Sequence, residues 1–347
     1  MSLRFDFEAL PGRIVFGAGR VAEVPAEAER LGGERVVVVA AAEEEGLAAR
    51  VQDGLGPRLA GRVDRIRQHV PEEVARAARE RVAELGGDLL VAVGGGSTTG
   101  LAKAVALTSG LPILAVPTTY AGSEMTPIWG LTAGARKETG RDLRVLPRTV
   151  VYDPELTVTL PPGLSAASGM NALAHCAEAL WVPGANPVTS ALAEDGIRVL
   201  ARALPRVVDA PGDLDARADA LHGASLAGMA LAAVGTGLHH KLAHVLGGTF
   251  DLPHADVHAV LLPYATAFHA AGHAPALARI ARALGSEDAA GGLWDLGRAV
   301  RAPADLAALG LTPQQAAEAA DIVAEGGTWD RAEVQEVLEH ALSGVRP

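Results

Sequence analysis

A strand-like run that leads straight into three glycines constrains the fold of this chain more than any other feature. Residues 88–93 (DLLVAV) are apolar on both faces, as in a strand covered by helices on both sides. Residues 98–108 have the pattern of a helix, and the connection between the two consists of Gly94, Gly95, Gly96 and Ser97. Glycines let backbone N–H groups approach a pyrophosphate, and a helix N-terminus adds partial positive charge. The segment therefore predicts a phosphate-binding unit of strand, loop and helix.

Further strands and helices alternate through the first half of the chain. Residues 35–40 (RVVVVA) and 111–117 (LPILAVP) predict buried strands, and residues 71–85 predict a helix with Pro71 at its first position. Strand, helix and strand at this spacing imply right-handed crossovers and a parallel sheet. Thr118 and Thr119 follow the last of these strands, where open α/β sheets bind ligands, although a plain loop fits these residues equally well.

The second half of the chain has a different pattern. Ala- and Leu-rich stretches with i, i+3, i+4 periodicity occur at residues 168–180, 188–204, 214–233, 275–284 and 334–342. The sequence therefore predicts an α/β dinucleotide-binding domain with an open parallel sheet over residues 1–158. An all-helical catalytic domain is predicted over residues 159–347.

Composition disfavours several classes of protein. Thirty Lys and Arg against 41 Asp and Glu give a formal net charge of −11, which disfavours binding to nucleic-acid phosphates. The single cysteine, Cys176, excludes an intramolecular disulfide and a Cys-based zinc site. No apolar run reaches about 18 residues, and the N-terminus lacks an apolar signal core. We therefore expect a cytoplasmic protein with no nucleic-acid or membrane partner.

Histidines are concentrated in one segment of the second half. The chain has 11, and five fall within twenty residues: His239, His240, His244, His254 and His258. His240 and His244 are one helical turn apart and share a face, and Asn171 and His175 have the same spacing upstream. We expect Gly247 and Gly248 to end the helix and the following turn to bring His254 back. Converging imidazoles predict a functional site.

A metal is one possible occupant of that site. Three neutral imidazoles and one carboxylate would bind a divalent cation well. The helical partner of His175 is Asn171, however, and its amide brings no negative charge. Three histidines are enough to hold zinc, so the residues disfavour a metal and leave the question open.

Four motifs together resemble a known family. They are GGGS at residues 94–97 with Lys103, VPTT at 116–119, GM-x-AL-x-H at 169–175, and H-x3-H…PH from His240 to His254. These are similar to the iron-containing (group III) alcohol dehydrogenases, which share a two-domain fold with glycerol dehydrogenase and dehydroquinate synthase. The resemblance implies that this dehydroquinate synthase-like fold covers essentially the whole chain. It aligns the family's metal ligands Asp, His, His and His with Asn171, His175, His240 and His254.

Two departures from the family pattern indicate one of its branches. Glycine (Gly100) stands where the family has GGGS-x-x-D, and Asn171 stands at the first metal ligand. Together with residues 116–132 and 144–157, these departures resemble the maleylacetate reductases. That branch reduces the C=C bond of maleylacetate (4-oxohex-2-enedioate) to 3-oxoadipate with NADH or NADPH in aromatic-compound degradation. The resemblance also implies a homodimer formed through the sheet domain.

The same resemblance assigns roles to residues of this chain. His244, which aligns with a histidine near the nicotinamide, and His254 would donate the proton or stabilise the enolate. His175 and His240 would complete a polar pocket, Asn171 would donate a hydrogen bond, and Lys103 would face the reacting centre or the nicotinamide ribose. The cofactor would be held by Gly94, Gly95, Gly96, Ser97, Thr118 and Thr119. A cation for the second carboxylate of the dicarboxylate substrate could be Lys241, Arg141 or Arg148.

Cofactor preference and reaction type leave alternatives open. Acids at residues 43–45 come slightly late after the second strand to bind a ribose 2′-OH, so a 2′-phosphate would not be strongly repelled, yet no arginine there invites one. We therefore favour NADH with NADPH tolerated, and Asn171 favours a reaction with no required metal. The first alternative is a metal-dependent alcohol dehydrogenase of the same fold, acting on a small alcohol, aldehyde or ketone. A dehydroquinate synthase-type lyase and a non-catalytic nucleotide sensor are the others.

Overall fold

The chain forms two compact units in a computed structural model that describes residues 4–10, 12–133 and 136–347. One unit is Ala9–Leu160, and the other is Pro161–Pro347 together with the N-terminal residues up to Glu8. Within the described ranges, no single helix is long and apolar enough to cross a membrane. The helices Leu214–Val234 and Leu238–Phe250 meet the length and composition criteria only as a pair, with a bend of 101° between them.

The first unit is built on a parallel sheet. Its strands are β1 (Arg13–Phe16), β2 (Val36–Val39), β3 (Leu59–Val63), β4 (Leu89–Gly94), β5 (Ile113–Pro117) and β8 (Thr149–Tyr152). They lie side by side in the order β1-β8-β5-β4-β2-β3, and every neighbouring pair is parallel. The helices are α1 (Val24–Arg30), α2 (Glu45–Leu55), α3 (Glu72–Glu84) and α4 (Gly96–Ser109). The predicted open parallel-sheet domain is confirmed.

Alternation along the central strands explains why this sheet is covered on both faces. In β2, Val36 and Val38 pack into one hydrophobic cluster, and Val37 and Val39 pack into another. Successive side chains of a strand point to opposite faces, so an all-valine strand supplies both clusters. All four valines are fully buried.

Two details of this unit differ from the sequence prediction. Helix α3 begins at Glu72, so Pro71 is its N-cap and not its first helical residue. An antiparallel hairpin, β6 (Ile128–Ala133) with β7 (Arg136–Arg141), was not predicted. Strand β7 reads RKETGR, and so many polar residues give no apolar alternation from which to recognise a strand.

The second unit is helical, as predicted. Its helices are α5 (Pro162–Glu178), α6 (Pro187–Asp209), α7 (Leu214–Val234), α8 (Leu238–Phe250), α9 (His254–Phe268), α10 (Ala274–Leu284), α11 (Ala289–Ala299), α12 (Pro313–Ala324) and α13 (Arg331–Ser343). Side-chain caps fix several helix starts, such as the capping boxes at Asn186 for α6 and at Thr312 for α12.

The expected end of α8 at Gly247 and Gly248 is wrong. The helix continues to Phe250 and ends at Asp251, which takes the left-handed conformation with φ 55°. A Cβ at Gly247 would lie 3.2 Å from Nδ1 of His254. Gly247 therefore serves close packing, because its bare backbone lets the His254 ring approach α8.

Candidate active site

Helices α5, α8 and α9 bring the histidines of the second unit together. Asn171, His175 and Glu178 are spaced i, i+4 and i+7 on α5, so they share one face of that helix. Helix α8 carries His239, His240 and His244, and α9 carries His254 and His258. We call His175, His239, His240, His244, His254 and His258 the histidine cluster.

Ring contacts connect all members of the histidine cluster. His175 stacks on His240 with ring centroids 4.5 Å apart and an angle of 16° between the planes. The ring centroid of His258 lies 4.7 Å from that of His240 and 4.6 Å from that of His254. His244 stacks on His254 with ring centroids 5.7 Å apart. The structure thus brings together the four histidines that the sequence singled out. His175 and His240 are buried, His254 is half-buried and His244 is exposed.

Glu178 is the residue of this site that sequence reasoning missed. It is fully buried, and its Oε2 lies 2.5 Å from Nδ1 of His240, while its Oε1 accepts a hydrogen bond of 2.9 Å from the backbone N–H of His239. Burial raises the pKa of Glu178, but the charge and hydrogen bond of His240 outweigh burial and lower it to about 2. An anionic Glu178 keeps a proton on Nδ1 of His240. Nε2 of His240 is buried and has no hydrogen-bond partner among the residues that the structure describes.

A row of imidazoles runs inward from His254. Nε2 of His254 lies 3.2 Å from Nε2 of His258, whose Nδ1 lies 2.8 Å from Nε2 of His239. Burial, followed by the neighbouring imidazoles, lowers the pKa of His239 to about 3 and holds that of His258 well below its ordinary value. Both inner rings are therefore neutral near pH 7. Each neutral ring has one donor and one acceptor nitrogen. The hydrogen bonds of the row therefore all point the same way, either from His254 toward His239 or from His239 toward His254.

The donor set fits a divalent metal poorly. The aligned residues offer three imidazoles and the Asn171 amide, with no carboxylate to balance the charge of a cation. One of these imidazoles, His254, already has Nε2 engaged with His258. The three described histidines whose ligand atoms all lie within 4.8 Å of one another are His239, His240 and His258, which is a different set. In His258, both ring nitrogens are occupied by other histidines.

Asn171 offers a hydrogen-bonding group instead. Its Oδ1 is buried and has no hydrogen-bond partner in the described part of the chain. A buried amide oxygen without a partner is a site for a ligand that donates a hydrogen bond, because burying a polar atom without a partner costs free energy.

The glycine loop of the first unit has the geometry of a phosphate site. Gly94 has φ +145°, and a Cβ there would lie 2.5 Å from Oγ1 of Thr98, so only glycine fits. Gly95 approaches Thr119, where a Cβ would lie 2.9 Å from Cγ2, and the Thr118 N–H donates to the Gly94 carbonyl at 3.2 Å. The loops after β4 and β5 therefore adjoin at the carboxyl edge of the sheet. Helix α4 begins at Gly96, so its first N–H groups are free of intrahelical partners and suit a pyrophosphate.

Gly100, the departure from the family pattern on α4, lies against Val70. A Cβ at Gly100 would lie 3.0 Å from Cγ2 of Val70. Val70 and its neighbour His69 have φ of 47° and 61°, which is unfavourable backbone for a β-branched residue. Val70 thus occupies the space into which a side chain at position 100 would extend.

Lys103 is buried within the first unit, on α4. Its Nζ donates to the carbonyls of Ser123, Thr126 and Ile128 at 2.6, 2.8 and 2.9 Å, and to the hydroxyls of Ser123 and Thr126. Burial lowers the pKa of Lys103 to about 7, while the charge of Glu124 raises it. Lys103 ties the loop after β5 to α4, and its predicted contact with ligand stays a prediction.

The substitution Lys103→Met should lower the free energy of unfolding by about 3 kcal/mol or more, because it leaves several buried acceptors without a donor. Urea denaturation of the variant and the parent protein measures this. Unchanged stability together with lost cofactor binding would show that Lys103 serves the ligand and not the loop.

Of the predicted substrate cations, Arg148 lies at the amino end of β8, the edge of the sheet opposite to the glycine loop. There it lines a cavity of about 460 Å³ with Arg13 and Arg30. Lys241 is exposed on α8 and Arg141 is exposed at the end of β7.

Comparison with known proteins decides the family. A model of the iron-containing alcohol dehydrogenases matches residues 11–154, and a model of the C-terminal part of that family matches residues 165–340. The chain belongs to the iron-containing alcohol dehydrogenase family. Within this family it is 50% identical to a maleylacetate reductase of Burkholderia cepacia, over 99% of both chains.

Solved structures of the family agree with this assignment. Maleylacetate reductase from Agrobacterium tumefaciens matches with a TM-score of 0.96 and 42% identity over 100% of both chains. The enzyme from Rhizobium sp. strain MTP-10005 matches with a TM-score of 0.95 and 43% identity over 99% of both chains. The predicted resemblance and fold are confirmed.

Proposed function

We propose that this protein is a maleylacetate reductase, an NAD(P)H-dependent oxidoreductase that converts maleylacetate to 3-oxoadipate. The observation that carries the proposal is the composition of the histidine cluster. His175 stacks on His240, and Asn171 lies one helical turn before His175, at the position where a metal-dependent relative would need an acid, in a chain 50% identical to a maleylacetate reductase. The nucleotide cofactor is NADH by preference, NADPH is tolerated, and no metal is required. The homodimer implied by the resemblance and the cytoplasmic location expected from the composition stay predictions.

Asn171 suits a substrate that carries two carboxylates. An aspartate at this position would repel such a substrate in a buried site, whereas an amide donates a hydrogen bond without charge. The two oxygens of Glu178 already accept hydrogen bonds from His240 and His239, so this carboxylate is committed to positioning those residues. Gly94, Gly95, Gly96, Ser97, Thr118 and Thr119 would hold the cofactor.

The histidine cluster would stabilise the enolate that forms during the reaction and then protonate it. When bound, a reduced nicotinamide would supply the hydride for the alkene carbon β to the ketone. The negative charge that develops on the ketone oxygen needs hydrogen-bond donors, and His244 and His254 would provide them. One of these two imidazoles then protonates the carbon α to the ketone, which completes the reduction.

The imidazole row behind His254 supports its role as a proton donor. When His254 carries a proton on Nε2, neutral His258 accepts from it and donates through Nδ1 to His239. When Nε2 of His254 is deprotonated, the row reverses and His258 donates instead. Nε2 of His254 therefore has a partner in His258 whether or not that nitrogen carries a proton, which supports proton exchange by the His254 ring.

The wild-type enzyme should oxidise NADH when maleylacetate is added, and EDTA should leave this rate unchanged. Absorbance at 340 nm follows the reaction, and product analysis identifies 3-oxoadipate. The reason is that imidazoles and Asn171 stabilise the enolate without a cation. Activity that disappears with EDTA and returns with iron or zinc would favour a metal-dependent alcohol dehydrogenase, as would turnover of a simple alcohol in place of maleylacetate.

A further inference from the structure

Three arginines line a cavity at the amino edge of the parallel sheet. The cavity has a volume of about 460 Å³, within the range of about 300–1,000 Å³ that is typical of small-molecule sites. Its lining residues lie at the start of β1, β5 and β8 and at the end of α1, and they are Gly12, Arg13, Arg30, Leu31, Pro112 and Arg148. The glycine loop follows the carboxyl end of β4, so the two features lie at opposite edges of the same sheet.

A buried carboxylate holds two of these arginines in place. Glu27, on α1, accepts hydrogen bonds from Nε of Arg13 at 2.9 and 3.1 Å and from Nε of Arg30 at 2.8 Å. Burial raises the pKa of Glu27, but the hydrogen bonds and charges of Arg30 and Arg13 outweigh burial and hold this pKa below its ordinary value. Arg30 also donates through Nη2 to the hydroxyl of Thr149. Both guanidinium groups are therefore oriented before any ligand binds.

Donor groups remain available at this cavity. Arg13 uses only Nε to bind Glu27, and its two Nη groups have no hydrogen-bond partner among the described residues. Arg148 is exposed, and its side chain makes no hydrogen bond or ion pair within the described part of the chain. The arginines outnumber Glu27, which leaves a local surplus of positive charge in a chain whose formal net charge is −11. Available guanidinium groups around a cavity favour an anionic ligand, because arginine binds a carboxylate through two parallel hydrogen bonds.

We propose that this cavity binds a small dicarboxylate, with one carboxylate on Arg13 and Arg30 and the other on Arg148. The surplus charge is divided in the same way, because Glu27 neutralises only one charge of the Arg13–Arg30 pair and Arg148 supplies another. A dicarboxylate carries one negative charge at each end, whereas a phosphate concentrates its charge on one group. The site uses no residue of the histidine cluster or the glycine loop, so the inference goes beyond the proposed function and does not depend on it.

The test is a calorimetric titration of the whole chain with adipate, a six-carbon dicarboxylate, at low ionic strength, because salt screens exposed charges. Arg148→Gln should raise the Kd for adipate about tenfold or more, since it removes a charged hydrogen bond to one carboxylate. Urea denaturation should show unchanged stability, because the Arg148 side chain has no described partner to lose. The matched control, Arg50→Gln, removes an equal charge from an exposed position on α2 outside the cavity lining, and should change the Kd less than about twofold.

Acetate measures what the second carboxylate contributes. The parent protein should bind acetate at least about tenfold more weakly than adipate, and Arg148→Gln should bind the two with similar affinity. An equal Kd for adipate in the parent protein and Arg148→Gln would overturn the inference, because adipate would then bind elsewhere, such as at the histidine cluster. Tighter binding of inorganic phosphate than of adipate would also overturn it. So would a parent protein that binds no adipate, and a loss of dimers in Arg148→Gln on sedimentation would then assign the arginines to a contact between copies of the chain.

Discussion

Replacing His254 with alanine should lower kcat for maleylacetate about 10²–10⁴-fold, the range typical of losing a general acid. His254 combines the features that a proton donor needs. It is half-buried, it stacks on His244 at 5.7 Å, and the neutral row of His258 and His239 pairs with it in either protonation state. Binding of NADH should stay unchanged, because the glycine loop belongs to the other unit of the chain. Stopped-flow measurement of NADH oxidation and fluorescence titration of NADH check the two statements.

Two companion variants make this experiment decisive. His340→Ala removes an exposed histidine from α13 and should leave kcat unchanged, which controls for the loss of an imidazole as such. His244→Ala separates the roles of the stacked pair. Removing the residue that donates the proton should lower kcat, and removing the residue that binds the substrate should raise KM. Full activity in both His254→Ala and His244→Ala would remove the proton-donor role from this pair.

Strand positions in the first unit could be predicted because its central strands are buried on both faces. An uninterrupted valine run such as β2 has no other stable environment, and the glycines after β4 mark a turn that other residues cannot adopt. The same reasoning failed for β7, whose polar sequence is compatible with any exposed segment. It also failed for Gly247, because a glycine that admits a ring from a distant residue looks the same in sequence as one that ends a helix.

Within the candidate site, sequence reasoning found the histidines by their density but missed what holds them in place. His258 was counted among the five clustered histidines but was given no role, although it follows His254 by four residues and shares its helical face. Glu178 gave a similar signal, three residues after His175, but glutamates at this spacing are common on exposed helix faces. Its burial and its pairing with His240 depend on tertiary contact between α5 and α8, which no local pattern encodes.

The substitution Glu178→Gln should lower kcat/KM about 10²–10⁴-fold, although residue 178 does not reach the substrate. Glu178 accepts hydrogen bonds from two donors, Nδ1–H of His240 and the His239 backbone N–H. A glutamine has one acceptor oxygen, so its NH2 group must face one of these donors unless His240 moves its proton to Nε2. Either outcome changes the hydrogen bonds that hold the His240 ring. Loss of the charged hydrogen bond should also lower the free energy of unfolding by about 1.5–3 kcal/mol, measured by urea denaturation.

A double-mutant cycle with His240→Ala separates positioning from stability. If Glu178 acts through the His240 tautomer, Glu178→Gln should change kcat/KM less than about threefold once His240 is already alanine, because coupled residues are not additive. Glu194→Gln, which removes a surface ion pair with Arg282 from the same unit, should leave kcat/KM at the parent value. Equal losses from Glu178→Gln in both backgrounds would instead assign Glu178 to anchoring α8 through the His239 backbone. The cycle separates the two roles, since a purely structural anchor would lose the same kcat/KM whether or not the His240 imidazole is present.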